Sequence, residues 1–340
     1  MIERMAAALL LALGTALAVG PGLIRRLNKL HFGTVIYELG PAHQNKQGTP
    51  VMGGLMIVLG VVLCQLILHP WPWQGGWDPG LGLLGVSLLS MAVGFADDWI
   101  KAVKKRHEGL TPWQKIAGQV IVAAGFTLWC YFHPKIGSSI AVPFVNTEWN
   151  LGVWYIPVMT LFVIFYVNST NLQDGLDGLL GTVTTVTSCA WTVVILLGVT
   201  ALGWSREFLC PAGIFAVSLI GGCVGYLRYN RYPAKVFMGD TGSMFIGGAT
   251  VGLAMVTRQP LLLILIGICP IMSSVSVILQ RYYFKLTRRF SSDHTGRRIF
   301  LMSPIHHHFE KKGYSETQIV SMYAGITTIT CMLAILGLLM

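Results

Sequence analysis

The sequence predicts an all-α polytopic membrane protein of about ten transmembrane helices, built as one domain over residues 1–340. Three observations carry this expectation. Hydrophobic residues make up 54% of the chain and charged residues only 11%, whereas a soluble domain carries about 25% charged residues. Apolar runs long enough to cross a bilayer recur along the whole length. The basic residues between those runs fall to one side.

The runs lie near 2–24, 51–69, 81–97, 113–132, 153–172, 179–200, 209–228, 241–257, 261–287 and 315–339. In hydrocarbon each backbone donor and acceptor has to be satisfied locally, so the runs are expected as helices. The first ends before Arg25, Arg26 and Lys29. Ala16-Leu17-Ala18 resembles a signal-peptidase site, but cleavage would leave those cations outside, so the run reads as an uncleaved first helix. The ninth contains Pro270, which predicts a kink or tilt there. The stretch 133–150, with Pro134, Gly137 and alternation from Ser139 to Val145, predicts a small external β-hairpin.

Placing 25–50, 98–112, 173–178, 229–240 and 288–314 on one side, with the adjoining helix ends, collects 20 of the 24 Lys and Arg. Only Arg4, Lys135, Arg206 and Arg258 remain opposite. This bias makes the rich side cytoplasmic and puts both termini outside. It also accounts for the formal net charge of +10 without a nucleic-acid partner. The seven cysteines sit in apolar stretches and form no CxxC pair, which argues against a disulfide framework or zinc site and for small buried hydrophobes. No internal repeat or low-complexity tract is present. The loops are short, so an active site has to be built at helix ends.

Of the 14 acidic residues, ten lie on the cytoplasmic side, and five of them form three clusters at helix ends: Asp97 with Asp98, Asp174 with Asp177, and Asp240. Carboxylates beside a membrane core are costly and point to function. For any one of them an ion pair or helix cap is the plainer reading, as for Asp97 with Lys101 four residues on. Asp97 and Asp98 open a basic loop with Lys101, Lys104, Lys105 and Arg106; adjacent side chains on a helix diverge by about 100°, which suits two roles. Asn168, Asn171, Asp174 and Asp177 recur every third residue and neighbour one another on a helical turn. Asp240 sits in Phe237-Met238-Gly239-Asp240-Thr241-Gly242-Ser243, where Thr241 or Ser243 could cap the next helix and its amides could hold a phosphate.

All-oxygen ligands of this kind suit Mg²⁺, with Mn²⁺ also compatible, and the ligands expected are Asp240 and Asp98. Lys46, Lys101, Lys115, Arg228 and Lys235 would complement a pyrophosphate. The combination argues for phosphoryl transfer by positioning and charge neutralisation. No P-loop is present, which disfavours an ordinary ATPase. In the last cytoplasmic loop, His306, His307 and His308 cannot easily face one ion, because neighbouring side chains diverge. Hydrogen bonding or proton transfer to substrate phosphates is the reading preferred for them.

Together these motifs resemble the phospho-N-acetylmuramoyl-pentapeptide transferases of the polyprenyl-phosphate hexosamine-1-phosphate transferase superfamily. The matching pieces are Lys46 to Gly54, Asp97-Asp98, Asn168 to Gly178, Phe237 to Ser243 and Pro304 to Glu310, in the family's order over nearly the whole chain. Val51, where the family usually has Thr, and Gln173, where Thr is common, depart from the pattern. The resemblance implies transfer from UDP-N-acetylmuramoyl-pentapeptide to undecaprenyl phosphate in the bacterial inner membrane, giving lipid I and UMP with Mg²⁺. It implies catalytic roles for Asp97, Asp98, Asp240, Lys115 and His306 to His308. It implies substrate contacts from Lys46, Lys101, Asn168, Asn171, Leu172, Asp174, Asp177, Asn230, Phe237, Gly239, Ser243, Gln280 and Ser303. Phe237 is expected to stack on uracil and Asp177 to accept hydrogen bonds near its edge. A homodimer stays open. Two other readings remain. One is transfer of N-acetylglucosamine-1-phosphate, against which the His306 run and Gly48-Thr49-Pro50 speak. The other is a carboxylate-based transporter, which would place its acids near the midplane, often with inverted repeats.

Overall fold

The computed structural model describes residues 1–30, 46, 48–70, 77–104, 108–290 and 295–340. Most of the 25–50 loop, Gln47, Lys105 and Arg106 lie outside the described residues. The elements in chain order are α1 (Ile2–Lys29), α2 (Leu55–Leu68), α3 (Pro79–Lys104), α4 (Pro112–Phe132), β1 (Ser139–Val142), β2 (Thr147–Asn150), a 3₁₀ turn (Gly152–Trp154), α5 (Tyr155–Gln173), α6 (Leu179–Thr200), α7 (Arg206–Asn230), α8 (Gly239–Val256), α9 (Leu262–Ile266), α10 (Ile268–Phe290), α11 (Ile305–Lys311) and α12 (Glu316–Leu339). Every predicted run coincides with a helix. Among the described residues seven helices are long and apolar enough to cross a membrane: α1, α3, α4, α5 with its preceding turn, α6, α7 and α12. The remaining runs depart for physical reasons. α2 is apolar but spans only 14 residues. α8 is enclosed by protein, with every residue from Thr241 to Val256 buried. A helix that meets side chains rather than lipid can carry small and polar residues, and α8 is rich in Gly, Ser and Thr.

The ninth run is two helices. The break falls at Gly267 (φ −100, ψ 24), not at Pro270, which sits in the first turn of α10, where a missing N–H costs nothing. The expected kink is therefore a hinge one turn earlier.

Small residues set the helix spacing. Ala8, Ala12, Ala16 and Gly20 form the buried stripe of α1, which packs along α7 and α2; close backbone approach of this kind drives helix association in lipid. Gly94 lets α3 lie against the start of α8, since a Cβ there would stand 2.2 Å from the Asp240 carbonyl oxygen. All seven cysteines are free, and all but Cys189 are buried.

The hairpin forms as expected, antiparallel with Ser139 opposite Asn150 and Val142 opposite Thr147. Its strands tie two helix ends. Ala141 N–H donates to the Arg258 carbonyl just past α8, and Phe144 N–H donates to the Gly337 carbonyl of α12. α4 and α5 also end and begin there, so the hairpin lies at the opposite end of the bundle from Asp174 and Asp240.

Candidate active site

Four helix ends converge opposite the hairpin. α3 supplies Asp97 and Asp98 near its end, α8 supplies Asp240 in its first turn, α4 supplies Lys115 in its first turn, and α5 supplies Asn168 and Asn171 in its last turns. Carboxylate oxygens of Asp97, Asp98 and Asp240 lie within 4.8 Å of one another.

Each carboxylate has a different set of partners. Asp97 Oδ1 accepts from Leu110 N–H at 2.8 Å and its Oδ2 pairs with Lys101 at 2.5 Å, so the expected i,i+4 pair forms. Asp98 turns the other way. It accepts from the backbone N–H of Asp240 (3.2 Å), the backbone N–H of Thr241 (2.8 Å) and the Thr241 hydroxyl (2.6 Å). Asp98 thus caps α8 from across the bundle. Neither Thr241 nor Ser243 acts as that cap: Thr241 donates to Asp98, and the Ser243 hydroxyl donates to the Gly239 carbonyl at 3.0 Å. Asp240 Oδ2 pairs with Lys115 (2.8 Å) and Lys101 (3.2 Å), and its Oδ1 accepts from Asn171 Nδ2 at 2.8 Å. Asn171 also donates to Ser243 Oγ at 2.9 Å and accepts from Lys115 at 3.3 Å.

Three acidic groups and two ammonium groups therefore share one partly buried cleft. A carboxylate oxygen has lone pairs for more than one partner, so the three acids retain acceptor capacity for a hard divalent ion. The structure places Asp97 beside the expected pair. Gly239 has φ +76, and a Cβ on it would stand 2.6 Å from Asp98 Oδ2; the turn that presents Asp240 requires glycine.

Asp174 ends α5 beside this cluster. Burial, reinforced by the negative charges of Asp240, Asp98 and Asp177, pushes its carboxyl up to about 8. Asp177 belongs to a second network. Its Oδ1 pairs with Lys46 at 2.8 Å and its Oδ2 accepts from Ala234 N–H at 2.9 Å. Lys46 also pairs with Glu316 at 2.7 Å, and Glu316 accepts from Asp177 N–H at 3.0 Å. Each Asp177 oxygen thus has one partner already and keeps a lone pair for another.

Other expected contacts hold the frame. Asn230 Oδ1 accepts from Gly178 N–H at 3.0 Å and its amide donates to the Val236 carbonyl at 2.9 Å. Asn168 exchanges hydrogen bonds with Gln119, a turn away from Asn171. Phe237 is half-buried; its N–H donates to the Pro50 carbonyl and its carbonyl accepts from Gly53 N–H, both at 2.8 Å. The Lys46 to Gly54 segment is thereby stitched to the Asp240 turn. Leu172 is half-buried at the end of α5. Gln280 binds the backbone of Ile299 and Phe300 through both side-chain atoms, each at 3.0 Å, which fixes the chain leading to Ser303.

The three histidines of α11 diverge, as their adjacency requires. His306 is fully buried with both ring nitrogens unpartnered, and its Nε2 lies where a Cβ on Gly175 would come within 2.4 Å. Burial and the neighbouring His307 push its pKa down to about 3, so the ring is neutral. His307 pairs with Glu310. His308 Nδ1 accepts from Leu301 N–H at 3.1 Å. Only His306 and His307 reach the Gly175 turn; His308 anchors the preceding loop.

A family model described as glycosyl transferase family 4 matches residues 81–258, the span from α3 through α8 that holds all three clustered acids. A phospho-N-acetylmuramoyl-pentapeptide-transferase of Clostridium perfringens (strain 13 / Type A) is 39% identical over 332 residues, which is 97% of this chain and 98% of the relative. The chain belongs to the phospho-N-acetylmuramoyl-pentapeptide transferases. Relatives of that name from Heliobacterium modesticaldum and Clostridium kluyveri are 38% identical over 337 residues, 98% of each chain, and 36% identical over 330, covering 97% and 98%. As a member of this family the chain is a membrane transferase of cell-wall synthesis.

Sequence reasoning missed two residues of this candidate site. Glu316 opens α12 and reads as an acid in a helix's first turn; its place beside Lys46 and Asp177 depends on contacts 270 and 139 residues away. Gln119, one turn into α4 from Lys115, is a polar side chain in an apolar run, and that mismatch was the available signal.

Proposed function

We propose that the chain transfers phospho-N-acetylmuramoyl-pentapeptide from its UDP-activated form to undecaprenyl phosphate, with Mg²⁺, giving lipid I and UMP. The observation that carries this is the convergence of Asp97, Asp98 and Asp240 within 4.8 Å, flanked by Lys101 and Lys115 at the mouth of a helical bundle. The reading places about ten helices across the bacterial inner membrane with both termini outside and this mouth on the cytoplasmic face. The donor is soluble and the acceptor is a lipid, so the reaction needs an end of the bundle where both phases meet.

The residues fit a divalent cation. Asp98 and Asp240 would hold it, with Asp97 alongside, and when bound it supplies charge neutralisation to the diphosphate. The protein's own groups do the rest. Lys101 and Lys115 bind phosphate oxygens. Asn171 and Ser243 hold Asp240 in orientation. Asp97 takes any remaining proton from the attacking lipid phosphate, which is already largely ionised because a phosphate monoester's second pKa is about 6. Asn168, Asp174 and Asp177 with Phe237 border the nucleotide pocket, where Phe237 stacks on the base. Neutral His306 offers a hydrogen bond across Gly175 rather than a proton.

Within the superfamily the competing donor is UDP-N-acetylglucosamine. The test gives purified protein polyprenyl phosphate, Mg²⁺ and a panel of UDP-sugars and measures UMP release. UMP from the muramoyl-pentapeptide donor alone is the expected result; UMP from UDP-N-acetylglucosamine alone overturns the donor assignment. A transporter would need acids at mid-depth, and here the clustered acids lie at the end of the bundle.

A further inference from the structure

Beyond the carboxylate cluster lies a second cleft whose basic residues nothing above uses. It has a volume of about 630 Å³ and is formed between α10 and the chain running into α11. Five cations line it: Arg281, Lys285 and Arg288 from α10, Arg298 from the loop, and Lys311 from the end of α11. Among the described residues no acidic side chain lines it, and none of the five forms an ion pair with a described carboxylate. The Gln280 clamp on Ile299 and Phe300 and the Ile305 N–H bond to Ser276 Oγ at 3.0 Å hold its two walls together, so the cleft is built rather than accidental.

Which way the cleft faces follows from the helix. At about 100° per residue, Ile278, Leu279, Tyr282, Leu286 and Phe290 share one side of α10, and all are exposed. The cleft-lining positions of α10 centre about 180° away. An exposed apolar stripe opposite a basic one suits a helix that meets lipid on one side and water on the other. The cations then point away from lipid, toward the aqueous side of the protein. A phospholipid headgroup would have to reach around the helix.

α11 links the cleft to the Gly175 turn beside Asp174. Lys311 and Ser303 bracket α11, whose His306 and His307 rest on the Gly175 turn. From His306 to Lys311 the helix rises about 7.5 Å. A five-residue peptide spans up to about 17 Å when extended, and one appended to a muramoyl group through its amino end carries at least its terminal carboxylate.

We infer that this basic cleft is the subsite for the carboxylate-bearing peptide of the donor, with Arg281, Arg288 and Arg298 as specificity-determining residues. The inference rests on the proposed donor. Carboxylates there would meet guanidinium forks suited to them, and the peptide would be recognised by charge at its far end while the diphosphate is held at Lys101 and Lys115.

The test is a cycle of two donors and two proteins in neutral detergent. The donors are the pentapeptide form and the same molecule with its peptide carboxyls amidated. The proteins are wild type and Arg281→Gln/Arg288→Gln, whose altered side chains are both exposed, so folding is spared. Arg289→Gln, which lies outside the cleft, is the charge control. Wild type should prefer the free acid by at least tenfold in kcat/KM, about 1.4 kcal/mol. The double variant should lose most of that preference through KM, and the control should keep it. A wild type indifferent to amidation, or a variant that slows both donors equally, overturns the inference. So does a loss blind to the donor that appears only in vesicles containing anionic lipid, which would hand the cleft to lipid headgroups. Wild type that releases no UMP from the free-acid donor refutes the proposed function instead, a separate outcome.

Discussion

Asp98→Asn should cost this protein its stability as well as its turnover, and the structure gives the size. The carboxylate accepts three hydrogen bonds from the first turn of α8. Bonds to a charged acceptor contribute about 1.5–3 kcal/mol each and neutral ones about 0.5–1.5. Asparagine keeps one acceptor oxygen. If that oxygen stays on Thr241, two bonds weaken by about 1 kcal/mol each, and the third becomes an amide facing the Asp240 N–H, losing about 1.5 or more. The neutral amide is also relieved of the cost of burying a charge and of repulsion from Asp240, which returns part of this loss. The net expectation is a loss of about 3 kcal/mol. Asp240→Asn frees only side chains, two of them partly exposed lysines, and should cost about 1 kcal/mol. At about 1.5 °C per kcal/mol for a chain of 340 residues, Asp98→Asn should melt about 3 °C below Asp240→Asn. Thermal unfolding in detergent, run beside UMP release, makes the comparison. Both variants inactive but melting together would refute the view of Asp98 as the cap of α8.

Further expectations concern the remaining groups. Asp240→Asn should lose nearly all turnover while remaining folded; near-normal rates at saturating Mg²⁺ would remove it from the site. Phe237→Ala should weaken binding of a uridine ligand and leave lipid binding largely intact, as titration with each ligand would reveal, and equal loss for both counts against stacking on the base. With labelled donor and no lipid acceptor, no UMP should form; stoichiometric UMP with label on Asp97 would replace direct displacement by a covalent intermediate. Asp174 carries the pH dependence: an unfolded aspartate ionises near 4, whereas the folded carboxyl stays protonated to about 8. Folding takes up a proton there, so stability is lost as pH rises through that window and levels off above it. The melting temperature of wild type should therefore fall relative to Asp174→Asn between pH 6 and 8, and parallel curves would clear Asp174.

Much of this was legible in the sequence, for identifiable reasons. Apolar runs in lipid have one backbone solution, so the helices and the hairpin followed from composition and turn residues. Rare acids at helix ends marked Asp97, Asp98 and Asp240 before any geometry was known. What could not be read was direction. Asp98 and Asp97 are equivalent as letters, and only the Gly94 approach of α3 to α8 sends one to a helix terminus and the other to Lys101. Pro270 predicts a kink because proline breaks helices, yet the chain breaks at Gly267 and carries the proline in a first turn, where it does no harm. Asn230 and Gln280 look like ligand contacts by motif; their partners turn out to be backbone groups far along the chain, information that no local window contains.

The hairpin has a mechanical consequence. By tying the loop after α8 to the last turns of α12, it staples the bundle at one rim, where Arg258 and Glu148 add an ion pair. Helices pinned at one end can splay only at the other. The compliance of the whole assembly is thereby concentrated at the mouth where Asp97, Asp240 and the α11 histidines meet, much as a bound book opens along its free edge. Phe144→Gly keeps the N–H bond to Gly337 but removes the ring packed on that residue, which would slacken the α12 side of the staple and, with it, a mouth some five helical turns away.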